Sequence, residues 1–166
     1  VVNNSQKLQP KDIVVCMSNG SKRLVGKNAQ FKTKNNNYCV GAFCGGFRAK
    51  DFSKSDYLFQ LFQSDEYQNY LDVTLAGSAI NNLKSSDILK FEFYFPKPNY
   101  QQKIAKILNT IDAVIEKTEN AIAKYQAIKK GMMHDLFTRG IDVKTGQLRP
   151  SFDDAPELYK DSDLGM

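Results

Sequence analysis

From Asn99 to Phe137 the chain carries one unbroken helical pattern, bounded at both ends. Phe95-Pro96-Lys97-Pro98 stands before it, and proline cannot continue a helix backwards from there. Asn99 is suited to cap the first turn, with Gln102 three residues on to complete a capping box. Past Phe137 comes Thr138-Arg139-Gly140, and glycine suits the left-handed residue beyond a helix end. Between these signals one apolar seam runs Ile104, Ile107, Ile111, Val114, Thr118, Ala121, Tyr125, Ile128, Met132. A second row, Leu108, Ile115, Ile122 and Leu136, lies beside it. The helix would be about 58 Å long. That is more than residues 1–98 can cover, so the stripe is expected to meet another helix or another subunit. Gly131 interrupts it at a cost of about 1 kcal/mol relative to alanine. Either the helix is weak there, or another helix approaches closely.

The rest of the chain reads as α+β. Asp12-Ile13-Val14-Val15-Cys16-Met17 predicts a strand, with Asn19-Gly20 as a turn and Leu24-Val25-Gly26 as the return strand. Asn35-Asn36-Asn37 predicts a loop. Tyr38 to Phe47, interrupted by Gly41, Gly45 and Gly46, predicts a bent or bulged strand. Ser55-Asp56 is read as the cap of a single helix with Leu58, Leu61, Phe62, Tyr67 and Leu71 inside. Gly77-Ser78 breaks the chain. Leu89, Phe91, Phe93 and Phe95 alternate with polar neighbours, the pattern of a strand with one buried face. Residues 138–166, broken by Gly140, Gly146, Pro150 and Pro156, read as an irregular linker or tail.

The chain has 166 residues and a net charge of +5. The surplus sits in residues 1–98, at +5, against +2 for 99–137 and −2 for 138–166. A basic globular part suits a polyanion, and nucleic acid is the commonest. No apolar run approaches the roughly 20 residues of a membrane span. The N-terminus lacks the form of a signal peptide. Cys16, Cys39 and Cys44 are expected to be reduced thiols of a cytoplasmic protein.

No catalytic constellation is legible. His134 is the only histidine, and a lone helix histidine is usually a packing or surface residue. Cys39 and Cys44 have no matching second pair for zinc. The glycines form no phosphate-binding fingerprint. Two polar segments stand out instead. Ser18-Asn19-Gly20-Ser21-Lys22-Arg23, with Lys27 close behind, offers hydroxyl, amide and cationic donors for bases and phosphates. Gly77-Ser78-Ala79-Ile80-Asn81-Asn82-Leu83-Lys84 is the second, with Ser78, Asn81 and Asn82 as candidate contacts. Both also have the composition of ordinary turns.

These residues resemble the specificity subunits of type I restriction-modification systems. Phe95-Pro96 with Gln101-Gln102-Lys103-Ile104-Ala105-Lys106-Ile107-Leu108 is similar to the entry of their conserved helix. Ile128-Lys129-Lys130-Gly131-Met132-Met133-His134-Asp135-Leu136-Phe137-Thr138-Arg139-Gly140-Ile141 is similar to its exit. Gly146-Gln147-Leu148-Arg149-Pro150 and Ala155-Pro156-Glu157-Leu158-Tyr159-Lys160-Asp161-Ser162 resemble the linker to a following recognition domain.

The resemblance implies a partial target-recognition domain over residues 1–98, a spacer helix of coiled-coil type over 99–137 and a linker over 138–166. It implies that Ser18, Asn19, Ser21, Lys22, Arg23, Lys27, Ser78, Asn81 and Asn82 face double-stranded DNA. Ile104, Leu108, Ile111, Val114, Ile115, Ile122, Tyr125, Ile128 and Met132 would pair with a second long helix. The expected partners are methyltransferase subunits and a restriction motor subunit. S-adenosylmethionine, ATP and Mg belong to those partners; this chain is expected to hold no cofactor or metal and to catalyse nothing. It is expected to be a fragment or a half-subunit, the latter able to pair with its own copy. The competing reading is a helical protein-assembly module without DNA binding.

Overall fold

The computed structural model describes residues 7–34, 37–76 and 81–160. Among these residues it has a three-stranded antiparallel sheet, three short helices and one long helix, the mixed α+β class expected. The strands are β1 (Ile13–Cys16), β2 (Asn28–Gln30) and β3 (Cys44–Phe47), in the order β2-β1-β3. Helices α1 (Ser55–Leu61), α2 (Asp65–Ala76) and α3 (Ser85–Leu89) precede α4 (Pro98–Thr138). The chain forms two compact units that divide within α4, between Asp112 and Ala113.

In the first unit the period-two pattern of β1 sends Ile13 and Val15 into the core and leaves Val14 and Cys16 half-buried. Val25, Tyr67, Leu71, Leu75, Leu83 and Ile88 complete that core. The buried Asp12 carboxylate accepts Nε and Nη2 of Arg48, each at 2.7 Å, and the backbone N–H of Gln9. A planar guanidinium matches a carboxylate in this two-pronged way, and it ties the start of β1 to the residue after β3. The bond to Asp12 raises the Arg48 pKa, with burial opposing it.

Several local expectations are corrected. Leu24-Val25-Gly26 is not the return strand. Lys22–Leu24 is one turn of 3-10 helix, and the return strand is Asn28–Gln30. Val25 is apolar because it reaches the core from a turn, not because it belongs to a ladder. Of Tyr38 to Phe47 only the last four residues form a strand; Cys39 makes an isolated bridge to Lys7. The single helix after Ser55 is two helices. Ser55 is the buried first residue of α1, and the capping belongs to Asp51, which accepts the N–H of Ser53 ahead of a 3-10 turn. The break follows at Ser64, whose hydroxyl donates to the Leu61 carbonyl and accepts the N–H of Tyr67. A serine serving both helices separates them without glycine or proline.

The alternation over Leu89–Phe95 does not make a strand. Leu89 closes α3 and is exposed. Phe91 and Phe93 are half-buried while Glu92 and Tyr94 are exposed, so the period of two is real. The rings find partners in place of a ladder. Phe62 stacks on Tyr67, and a chain of ring contacts then runs through Phe91, Phe93 and Phe95 to Tyr57. Alternation reports extended backbone with one buried side, and aromatic packing satisfies it as well as sheet pairing does.

Within that chain the Tyr67 ring is almost fully buried, yet its hydroxyl has no hydrogen-bond partner among the described residues. Burial pushes the phenol pKa up. An unpaired buried hydroxyl costs about 1–3 kcal/mol. Tyr67→Phe is therefore expected to raise stability by about 1 kcal/mol in urea unfolding; a loss of stability would show that the hydroxyl is satisfied.

The long helix begins one residue earlier than expected and without the Asn99–Gln102 box. Pro98 suits a first helical position, where its missing N–H is not needed. The Lys97 carbonyl accepts the N–H groups of Tyr100 and Gln101, and the buried Gln101 amide donates back to the Pro96 carbonyl. The exit is as expected: Gly140 has φ +71° and its N–H reaches the Leu136 carbonyl. Nothing lies within 4 Å of where a Gly131 side chain would begin.

In the second unit, residues after Gly140 are organised by turns. Ile141 bridges Leu148, and Asp142 caps the intervening turn through the N–H groups of Lys144 and Thr145. A 3-10 turn follows at Pro156–Leu158.

Candidate nucleic-acid interface

One end of the sheet gathers the segments that carry the candidate contacts. β1 ends there, while β2 and β3 begin there. Beyond Cys16 the N–H of Met17 donates to the Phe43 carbonyl at 2.8 Å, and that of Ser18 reaches the same oxygen at 3.3 Å. Ser18 bridges Asn82, the N–H of Leu83 donates to the Met17 carbonyl at 2.7 Å, and the N–H of Asn19 donates to the Asn81 carbonyl. Two polar segments some sixty residues apart thus become one surface. The Asn81 amide crosses between them, donating to the Gly20 carbonyl at 3.1 Å.

The side chains on this surface differ in what they can still do. Asn19 Oδ1 accepts the N–H of Ser21 at 2.9 Å, shaping the turn. A bidentate contact to adenine uses both ends of an asparagine amide. Asn19 and Asn81 each make one bond within the loops, which fixes how their amides are turned and leaves one lone pair or hydrogen at that end. Asn82 is exposed and its amide is uncommitted among the described residues. Ser21, Lys22, Arg23 and Lys27 are exposed, and Ser18 is half-buried. Lys22, Arg23 and Lys27 form no ion pair among the described residues. Ser78 lies outside the described residues.

Two features here escape a motif-by-motif reading. From Ile13 to Lys50 there is no acidic residue at all, against seven lysines and arginines. The loops at this sheet end all fall inside that stretch, except the one bearing Asn81 and Asn82. The acid-free run was the available signal. The second feature is Phe43, 70% exposed beside Ser18.

The face of α4 forms a separate feature. Of its residues only Gln101 and Ala105 are buried. Ile104, Leu108, Ile111, Val114, Ile115, Ile122, Tyr125, Ile128 and Met132 are exposed by 37% at Leu108 to 70% at Tyr125. Exposed apolar residues repeated at helical spacing make this face a candidate interaction surface. No cluster of metal-ligating side chains occurs among the described residues, and His134 is exposed. No helix of the described residues is long and apolar enough to cross a membrane. All three cysteines are free thiols.

The described residues thus carry a mixed α+β unit with cationic loops at one sheet end, and a long helix with exposed apolar residues. The model of the type I restriction modification DNA specificity domain matches residues 1–125, so the chain belongs to that family. It is 34% identical over 130 residues to the type I restriction enzyme StySPI specificity subunit of Salmonella potsdam, covering 78% of this chain and 28% of that protein. Against the EcoKI specificity subunit of Escherichia coli K12 it is 29% identical over 164 residues, covering 96% and 34%. The MjaIX specificity subunit of Methanocaldococcus jannaschii is 37% identical over 89 residues, covering 51% and 21%. The chain thus spans about a third or less of these relatives' length.

Proposed function

We propose that this chain reads one half of a split DNA site through the loops at the sheet end and itself performs no chemistry. The observation that carries this is the Ser18–Asn82 bridge, which unites two polar segments, one of them within the cationic stretch Ile13–Lys50 that holds no acidic residue. Lys22, Arg23 and Lys27 supply phosphate and base contacts, while Asn19 and Asn81 hold the loops in shape. The apolar face of α4 pairs with a second long helix, in the same polypeptide or in a second copy. Methyltransferase subunits and a restriction motor subunit dock on that scaffold, carrying S-adenosylmethionine, ATP and Mg, in the cytoplasm. Family membership and the names of the relatives support this reading.

The test is DNA binding across a salt series. Phosphate contacts release counterions, so affinity should fall steeply as salt rises. Lys22→Ala should weaken all duplexes alike and reduce the salt slope by about 1. Arg23→Ala should cost about 1–3 kcal/mol and relax the preference at one base pair. Unchanged affinity and target choice in both variants would remove the loops from the DNA face and favour the assembly-module reading.

A further inference from the structure

We infer that Phe43 is an apolar base contact of the recognition surface, a role that rests on the sheet-end loops being the DNA face. A single exposed phenylalanine is ordinary on a protein surface. What sets Phe43 apart is how it is held and where. It is the third residue of a tight turn closed by the N–H of Cys44 donating to the Gly41 carbonyl at 3.0 Å. Its own carbonyl accepts the N–H groups of Met17 and Ser18, so its backbone is pinned to the loop that carries Asn19, Lys22 and Arg23. The side chain nevertheless stands 70% exposed. The other aromatics of the neighbouring strands and loops have partners: Tyr38 meets Phe31 edge-on, and Phe47 packs on the core. Phe43 has no ring contact among the described residues.

The chemistry of the surroundings selects the occupant. An apolar protein surface would be a poor match for a ring whose backbone is bonded to the loop that carries the exposed Lys22 and Arg23, neither of which forms an ion pair among the described residues. DNA fits: phosphates answer the cations, and a phenyl ring is accepted by a thymine methyl group or by a partly opened base step. The hydrogen-bonded turn removes the backbone part of the ordering cost on binding, leaving only the ring's own rotation to be fixed.

The decisive experiment is selection of binding sites from a pool of random duplexes, using the full chain and its Phe43→Ala variant. Because the side chain is exposed, the variant should keep the wild-type melting temperature. Wild type is expected to enrich a defined sequence. Phe43→Ala should lose preference at one or two adjacent positions by roughly 5- to 150-fold, with an unchanged salt slope because no phosphate contact is removed. If the variant enriches the same sequence with the same strength, the role of Phe43 is overturned while the loop reading stands. If wild type enriches nothing, both are overturned.

Discussion

Gly26→Ala is expected to lower the stability of the first unit by roughly 2–5 kcal/mol, the sum of a backbone penalty and an overpacking penalty. Gly26 has φ +85°, a conformation that costs alanine about 1–2 kcal/mol. A β-carbon there would stand 2.1 Å from Leu71 Cδ1. Leu71 is 1% exposed, so it has nowhere to retreat. The Gly26 N–H also donates to the Cys16 carbonyl at 2.8 Å, anchoring the turn that brings Lys22 and Arg23 to the sheet end. Against a typical stability of about 5–15 kcal/mol this is a large loss. Gly20→Ala supplies the control, since nothing lies within 4 Å of its missing side chain. Urea unfolding of the two variants decides the matter: equal midpoints would mean that the Gly26 turn and Leu71 can relax together.

The second large effect concerns assembly. Ile111 and Ile122 are 50% and 52% exposed on the α4 face. Burying such a side chain contributes about 1.5–3 kcal/mol. The pair Ile111→Asp with Ile122→Asp should therefore weaken association with a second long helix by more than about a hundredfold, or roughly 3–6 kcal/mol. The helix itself should persist, because neither residue packs into a core. Sedimentation of wild type and variant reads the self-association directly. A wild-type chain that stays monomeric at high concentration with an intact helix would exclude pairing with its own copy and leave the face to a second helix in the same polypeptide or in a different partner.

How far the chain could be read without its structure depended on the range over which each signal acts. A helix repeats its hydrogen bonds four residues apart, so the apolar period from Ile104 to Met132 and the stop at Gly140 are written locally. The residues of β1 are likewise local, because Ile13 and Val15 face inward by alternation alone. Sequence and structure part where one local pattern serves two tertiary purposes. Val25 is apolar for the core, although its neighbours have the composition of a strand. Phe91 and Phe93 alternate for an aromatic stack and not for a ladder. Leu58 to Leu71 looked like one helical face because α1 and α2 contribute to the same core, while the break rests on a single serine.

The candidate surface divides in the same way. The sequence alone showed two polar segments with the donors that DNA requires, and a basic surplus before Asn99. It could not show that they meet, because the Ser18–Asn82 bridge joins residues far apart in the chain and leaves no local trace. Nor could it show which amides are free: Asn19 and Asn81 carry the same side chain as Asn82, and only the fold commits theirs to the loops. Residue type settles what a side chain can bond to. Tertiary structure settles whether that capacity is already used, because a hydrogen bond made within the protein is one withheld from a ligand.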